Sequence, residues 1–382
     1  VFSMVQGFSG FGFPKAHGAA FGLLAYQSTW LRVHHGPEFL CSLLNEQPMG
    51  FYPPDALVHE AQRRGIEVLA PDVNESDAEC EIGPGGSGDA CVRIGLGYVR
   101  SVREQEAREL VAARQSGGRF RSLSDLASRA ASSAASLELL AWSGACDSLV
   151  DGLRDSARRI ALWQLGVATP GTTVPGGIQL ALPLDLPAPP ELRKLSSWER
   201  MLADYRTTGL TTGSHPLALL RERIPSDAVT SRDLERLSHG TRVRIGGLVV
   251  ARQRPGTANG IVFVLLEDEH GTINLIVPPQ LYERHRLTVR TEPLMLVEGK
   301  LERLPAAGGA ISVLVDQVGS IVAPDQLVAE VKDFSPLDER ELAAARATAP
   351  AGRRVAAGGS GEAEDFRAVA PPAMSFASGR RR

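Results

Sequence analysis

The chain has 382 residues, a formal net charge of −3 and a pI near 6.3, with 43% hydrophobic and 22% charged residues. That length allows two to four domains at roughly 100–200 residues each, and the hydrophobic fraction is ordinary for a globular protein. The near-neutral balance does not announce a nucleic-acid binder, so local charge has to decide. No apolar stretch approaches the ~18–20 residues of a membrane span and no signal peptide is visible. Cys41, Cys80, Cys91 and Cys146 form no CxxC pair and no zinc-spaced cluster with His, so a reduced, cytoplasmic protein with structural thiols is expected.

Pro14 suits a first helical turn, and Ala and Leu then recur at helical spacing, so a helix is predicted from about Pro14 to His34. Tyr26, Trp30 and Leu31 are expected in the core. "GPEFLCSLLNEQP" and "PPDALVHEAQRRG" are two further helices, the last with Asp55 in its first turn and Gly65 after its end. "IEVLAPDVNES" reads as a short strand and turn, "EIGPGGSGDA" as loop, and "CVRIGLGYVR" as a strand ending in the turn Gly95-Leu96-Gly97. Three Gly-punctuated helices follow, the last stopped at Gly144.

Residues 166–192 are rich in Pro, Gly and Thr and read as an extended linker. After the helix "SSWERMLADYRTTG" the period changes. "RVRIGGLVVARQR", "GIVFVLLEDEHG", "TINLIVPP", "PLMLVEGKLER" and "ISVLVDQVGSI" are five Val/Ile/Leu-rich strands, with "QLYERHR" as a helix between the third and fourth. That is the order of an OB-fold barrel. Glu267-Asp268-Glu269 reads as a solvated hairpin between strands, and the Ala/Gly/Arg-rich tail from about Ala344 as disordered. The fold class is therefore multidomain α+β. A helical segment spans 1–80, a helix-hairpin-helix region 81–165, the linker 166–192 and a helical connector 193–238. An OB-fold barrel follows at 239–325 and the tail at 326–382.

The turn at 94–103 and the helix–Gly–helix at 137–149 look like paired helix-hairpin-helix units, which offer backbone N–H groups to a phosphate. Gly95, Gly97, Arg100, Arg103 and Gly144 are the candidate contacts, within a local excess that includes Arg93, Arg108, Arg114, Arg119 and Arg121. A helical bundle with a solvated basic face is the alternative. On the barrel, Arg242, Arg244, Arg252, Arg254, Phe263 and Lys300 could hold a single strand by charge and stacking. Phe263 is the only aromatic of the central strands, so the stacking platform looks poor and a protein-binding barrel stays open.

"GFPKAHGAAFGLLAYQSTWLRVHHGPEFLCSLLN", "IGLGYVRSV", "LELLAWSGACDSL", "DYRTTGLTTGSHPLALLR" and the barrel strands resemble, in one order over about residues 1–325, the C-family bacterial DNA polymerases (the DNA polymerase III alpha-subunit lineage). "LLNEQPMGFYPPDALVHEAQRRGIEVLAPDVN" and Gly209-Leu210-Thr211-Thr212-Gly213-Ser214-His215-Pro216 resemble its error-prone, damage-tolerant branch. The resemblance implies a fingers helix in which Lys15 lies near triphosphate while His17 and Phe21 flank the nascent base pair. Phe21 stands where many relatives carry Tyr, and Arg103 where the first hairpin usually has Gly.

It also implies DNA and a deoxynucleoside triphosphate as partners. Mg²⁺ is implied for the full-length enzyme, held by palm aspartates expected on the N-terminal side of Val1. This chain is thus expected to be a C-terminal portion, inactive alone and without metal ligands. Gln179, Leu180, Leu182 and Leu184 resemble a sliding-clamp-binding peptide, and other mutasome proteins are possible partners. A stand-alone DNA-binding accessory protein and a mutasome scaffold are the competing readings.

Overall fold

In the computed structural model, the described residues are 15–49, 52–86, 88–130, 132–150, 154–168, 188–304, 310–321 and 366–377. The helical part opens with α1 (Lys15–His34), α2 (Gly36–Asn45) and α3 (Pro54–Arg63). Helix α1 follows the Ala/Leu pattern yet buries none of its twenty residues. Tyr26, Trp30 and Leu31 are 69%, 44% and 41% exposed, so their expected place in the core is corrected. Helices α2 and α3 pack instead on a small sheet, order β1-β3-β2, made of β1 (Val68–Leu69), β2 (Glu81–Pro84) and β3 (Ala90–Arg93). Strand β2 lies in the expected loop: its Gly and Pro hide a period-2 register in which Ile82 faces Val92 and Gly83 faces Cys91. Leu40, Leu44, Val58, Val92 and Ile94 form the core between these elements.

The hairpin region holds α4 (Glu104–Gly117), α5 (Leu123–Arg129), α6 (Ala134–Trp142) and α7 (Arg154–Ala168) around a second core that includes Leu96, Leu110, Leu126 and Leu140. Local chemistry sets the starts. The Ser122 hydroxyl accepts from Asp125 N–H at 3.1 Å and that of Ser133 from Ser136 N–H at 3.1 Å, each satisfying a donor that the helix leaves orphaned. The connector α8 (Ser197–Thr207) opens on a capping box of Ser196 and Glu199 and leads to the short α9 (Pro216–Leu220) and α10 (Ser231–Leu234).

The barrel matches the predicted strand order: β4 (Arg242–Arg254), β5 (Val262–Glu267), β6 (Thr272–Val277), α11 (Pro279–Arg284), α12 (Arg286–Thr291), β7 (Leu294–Leu304) and β8 (Ala310–Ser320). The sheet runs β5-β6-β8-β7-β4, and pairing of β4 with β5 closes it into five strands. Val264, Leu266, Ile273, Leu275, Met295 and Val313 fill the interior. A shift between Val249 and Ala251 bends β4 so that one long strand serves both halves of the barrel.

The tail reading is corrected in part. Residues 366–377 form α13 (Phe366–Val369) and β9 (Met374–Ala377), and β9 pairs parallel with Ala251–Arg254 at the end of β4. Phe366 is buried beside Trp198 and Tyr205. With Leu248 and Leu294 these residues form a third core joining connector, barrel and tail.

Candidate nucleic-acid interface

Strand registers fix which barrel residues face outward. Gln253 sits opposite Phe263, and Leu265 opposite Asn274, while the alternate positions Val264, Leu266, Ile273 and Leu275 are interior. One outer face therefore carries Ala251, Gln253, Phe263, Leu265 and Asn274. It is hollowed by a cavity of about 350 Å³, and Tyr52 forms its far wall. Tyr52 precedes α3, and the same helix packs over the end of this face. Tyr52 is 54% exposed and Phe263 37%, so two aromatic rings open to solvent border one hollow lined by both polar (Gln253, Thr272, Asn274) and apolar (Ala251, Leu265) residues. A second hollow, of about 550 Å³, shares Thr272 with the first and has an edge of mixed charge, with Arg63, Arg64 and Arg232 beside Glu60 and Glu235. Tyr52 was missed in the sequence because nothing local ties it to a strand two hundred residues away.

The barrel cations do not gather on that face. Arg252 shares a face with interior Val264. Its guanidinium donates to the carbonyls of Val289 (2.7 Å) and Glu292 (2.5 Å), and burial pushes its pKa down to about 10. Arg254 lies over the Tyr282 ring at 4.7 Å and near Glu283. Arg244 is held by Asp227 and Glu298, and Arg242 by Asp316 at 2.9 Å. Lys300 is exposed, opposite Arg242 across β4 and β7. The expected groove combining Arg252 and Arg254 with Phe263 is thus corrected: these side chains lie on opposite sides of β4.

In the first hairpin, the amides of Leu96, Gly97, Tyr98, Val99, Arg100 and Val102 all donate within the protein. The two glycines serve close packing. A Cβ on Gly95 would lie 2.4 Å from the Glu79 carbonyl carbon, and one on Gly97 2.9 Å from the Ala78 oxygen. Phosphate binding by those amides is corrected accordingly. Arg103 does not need the left-handed conformation expected of its position. It is extended, φ −70°, and Ser101 takes the positive φ of 64°. The Arg103 side chain is 79% exposed, 3.3 Å from Glu106, and Arg100 is exposed beside Gly209.

Gly144, φ +86°, is the C′ residue of a Schellman turn: Ala145 N–H bonds the Leu140 carbonyl and Gly144 N–H that of Ala141. The neighbouring basic excess is largely engaged. Arg114 donates to Val73 and Ser76 carbonyls, Arg93 to that of Ala70, Arg108 meets Glu104, and Arg119 meets Glu75.

Lys15 and His17 are exposed at the start of α1, and the His17 and Phe21 rings meet at 4.4 Å. One helical turn thus presents a cation and two rings in tilted contact, 59° between their planes. Gln179, Leu180, Leu182 and Leu184 lie outside the described residues.

The Glu267-Asp268-Glu269 run is not a solvated hairpin. Glu267 and Asp268 are 1% and 0% exposed. Asp268 accepts from the Ser231 N–H and hydroxyl and from the amides of His270 and Gly271. Arg221 grips Glu269 bidentately at 2.6 and 2.8 Å. Glu267 takes Arg63 at 2.7 Å, and the imidazoles of His59 and His215 at 3.4 and 3.9 Å. These contacts hold its carboxyl far below the ordinary range despite burial.

His59, His215 and Glu267 stand at metal-ligand spacing, but the donor set does not fit one. His215 Nδ1 accepts the Leu217 N–H at 3.1 Å, which leaves the proton on Nε2, the atom facing Glu267. Mg²⁺ fits no better, because it prefers oxygen ligands and retained water while this carboxylate is dry and already bonded.

Comparison with known proteins supports a nucleic-acid-handling chain. Residues 65–157 match a family model described as a helix-hairpin-helix motif, and residues 243–321 one described as an OB-fold nucleic acid binding domain. A protein named error-prone DNA polymerase from Anaeromyxobacter dehalogenans (strain 2CP-C) is 40% identical over 347 residues, 87% of this chain and 29% of that protein. One of the same name from Dechloromonas aromatica is 41% identical over 304 residues, 79% of this chain and 28% of that protein. The chain therefore spans under a third of the length of these relatives. Among solved structures, an asparaginyl-tRNA synthetase from Pyrococcus horikoshii matches 25% of this chain and 23% of its own at 21% identity, with a TM-score of 0.22, a likeness that carries no weight.

Proposed function

We propose that this chain supplies the DNA-holding and nucleotide-contacting part of an error-prone DNA polymerase of the damage-tolerant kind. The observation that carries the reading is the open hollow on the outer β4-β5-β6 face, walled by Tyr52 and Phe263. Every base has a π-face, so two exposed rings beside one hollow bind a single strand by stacking without reading its sequence, each stacked base contributing about 1–3 kcal/mol. Arg232 at the edge of the adjoining hollow offers the backbone a cation, whereas Arg63 and Arg64 there are paired with Glu60 and Glu267. Arg100 and Arg103 hold duplex phosphate beside the hairpins, and Lys15, His17 and Phe21 meet the incoming deoxynucleoside triphosphate. The 179–184 peptide engages a sliding clamp.

Phosphoryl transfer in such an enzyme uses carboxylate-held Mg²⁺. This reading assigns this chain none of those ligands and expects no primer extension from it alone. A second reading, a scaffold protein that does not hold DNA, is favoured by the acids that occupy Arg242 and Arg244. Primer extension with Mg²⁺, run beside binding of an oligo(dT) strand and a primer-template at two salt concentrations, separates them. Salt-sensitive binding of both without extension is expected. Binding to neither supports the scaffold.

A further inference from the structure

The joint between α3 and the barrel is made by buried charge. Glu267 on β5 faces three groups, and the most informative is His59, 3% exposed, 208 residues earlier in the chain. His59 Nδ1 lies 3.4 Å from Glu267 Oε2, and its Nε2 lies 3.6 Å from Asp55 Oδ1 one turn back on α3. Each ring nitrogen thus looks at a carboxylate oxygen. A neutral imidazole has one N–H and serves only one of them, whereas imidazolium has a donor for both.

The remaining neighbours fix the charge count. Arg63, on the same helix, bonds the other oxygen of Glu267. Tyr205 from α8 donates to Asp55 at 3.0 Å, as does the Thr211 amide at 3.1 Å. His215, ahead of α9, packs its ring 4.6 Å from that of His59. Its Nδ1 is spent on Leu217 N–H, and burial lowers its pKa, so it is neutral. Asp55 and Glu267 thus face Arg63 and an imidazolium, with the half-buried Glu60 sharing Arg63 at 3.1 Å; burial pushes the Asp55 carboxyl up to about 6, so it is ionised above that pH. A neutral His59 leaves one uncompensated negative charge in a dry interior, a costly arrangement.

We infer that protonated His59 is the bolt between α3 and the OB barrel, bridging Asp55 and Glu267, and that its deprotonation loosens this joint and the Tyr52 wall carried beside it. Burial lowers the His59 pKa, but Asp55 and Glu267 outweigh it and the net shift is upward. A raised folded-state value contributes stability that is complete below the unfolded pKa near 6.5 and is lost as pH rises through the folded one. His215 acts in the opposite sense but only below about 6.5, and the buried thiols of Cys41, Cys80 and Cys146, pushed up by burial, weaken the fold only from about pH 8.5 upward, so the window from about 6.5 to 8 belongs to His59.

The consequence for the Tyr52 hollow rests on the nucleic-acid reading; the bolt itself is tested without nucleic acid. Histidine NMR titration of the whole chain, with ring signals assigned from His59→Gln and His215→Gln, should give a His59 midpoint above ~6.5, lowered in Glu267→Gln. Urea unfolding of the wild-type chain from about pH 6.5 to 8, below the range in which the buried thiols contribute, should show stability falling. Each unit by which the midpoint is raised corresponds to about ten-fold in the folding equilibrium, and the fall should be absent in His59→Gln. If the variants do not fold, the wild-type urea series over that range still decides. A His59 midpoint at or below ~6.5, or a wild-type stability that does not fall over this range, overturns the inference.

Discussion

Helices α1 and α3 come from one continuous stretch of sequence, yet only one is built into the molecule. Helix α3 buries Ala56, Val58 and Ala61 and, through Asp55, His59 and Arg63, reaches the barrel. Helix α1 buries nothing and exposes Phe21, Leu24, Tyr26 and Trp30. The difference shows that apolar content and helical periodicity give a helix its form without giving it an address. Packing partners supply most helical stability in proteins; α3 has them through Val58 and Ala61 in the core beneath it and through His59 and Arg63 at the barrel.

The largest break in that comparison lies between the barrel core and α1. Leu275→Ala, fully buried, should cost about 2–5 kcal/mol, whereas Leu24→Ala should stay within about 0.5 kcal/mol; urea denaturation measures both. The tail sharpens it next. Phe366→Ala should cost about 3 kcal/mol, as in any core, and a null effect would detach residues 366–377 from the fold.

Glycines give a smaller contrast. Gly299→Ala would set a Cβ 2.3 Å from the Leu314 oxygen in β8 and should destabilise by about 1–3 kcal/mol. Gly22→Ala meets nothing within 4 Å and should raise helix stability by about 0.5–1 kcal/mol. Last, limited proteolysis should cut within α1 before it cuts β4–β8, because local opening tracks the scarcity of buried contacts; early cleavage of the barrel would reverse the comparison.

The barrel was legible because its strands are long, β-branched and alternating. Its order around α11 follows from that pattern alone, and the caps at Ser122 and Ser196 follow from local chemistry. The site was less so. Glu267 looked solvated because charge in a turn carries no mark of burial, and the residues that bury it, His59, Arg63 and His215, are brought there only by tertiary structure. Arg252 and Arg254 looked like part of a strand-binding groove with Arg242, Arg244, Phe263 and Lys300, but the β4 shift at Ala251 sets the face each takes. Strand β9 pairs by register with β4 and has no compositional signature of its own.

The central claim is that the Tyr52–Phe263 hollow holds a single strand. Fluorescence anisotropy of a labelled oligo(dT) with wild type, Tyr52→Ala and Phe263→Ala, at low and moderate salt, tests it most directly. The account predicts salt-sensitive binding weakened by each substitution by about 1–3 kcal/mol, or roughly 5- to 150-fold, in chains whose unfolding curves are unchanged. Equal affinity for all three proteins would contradict it.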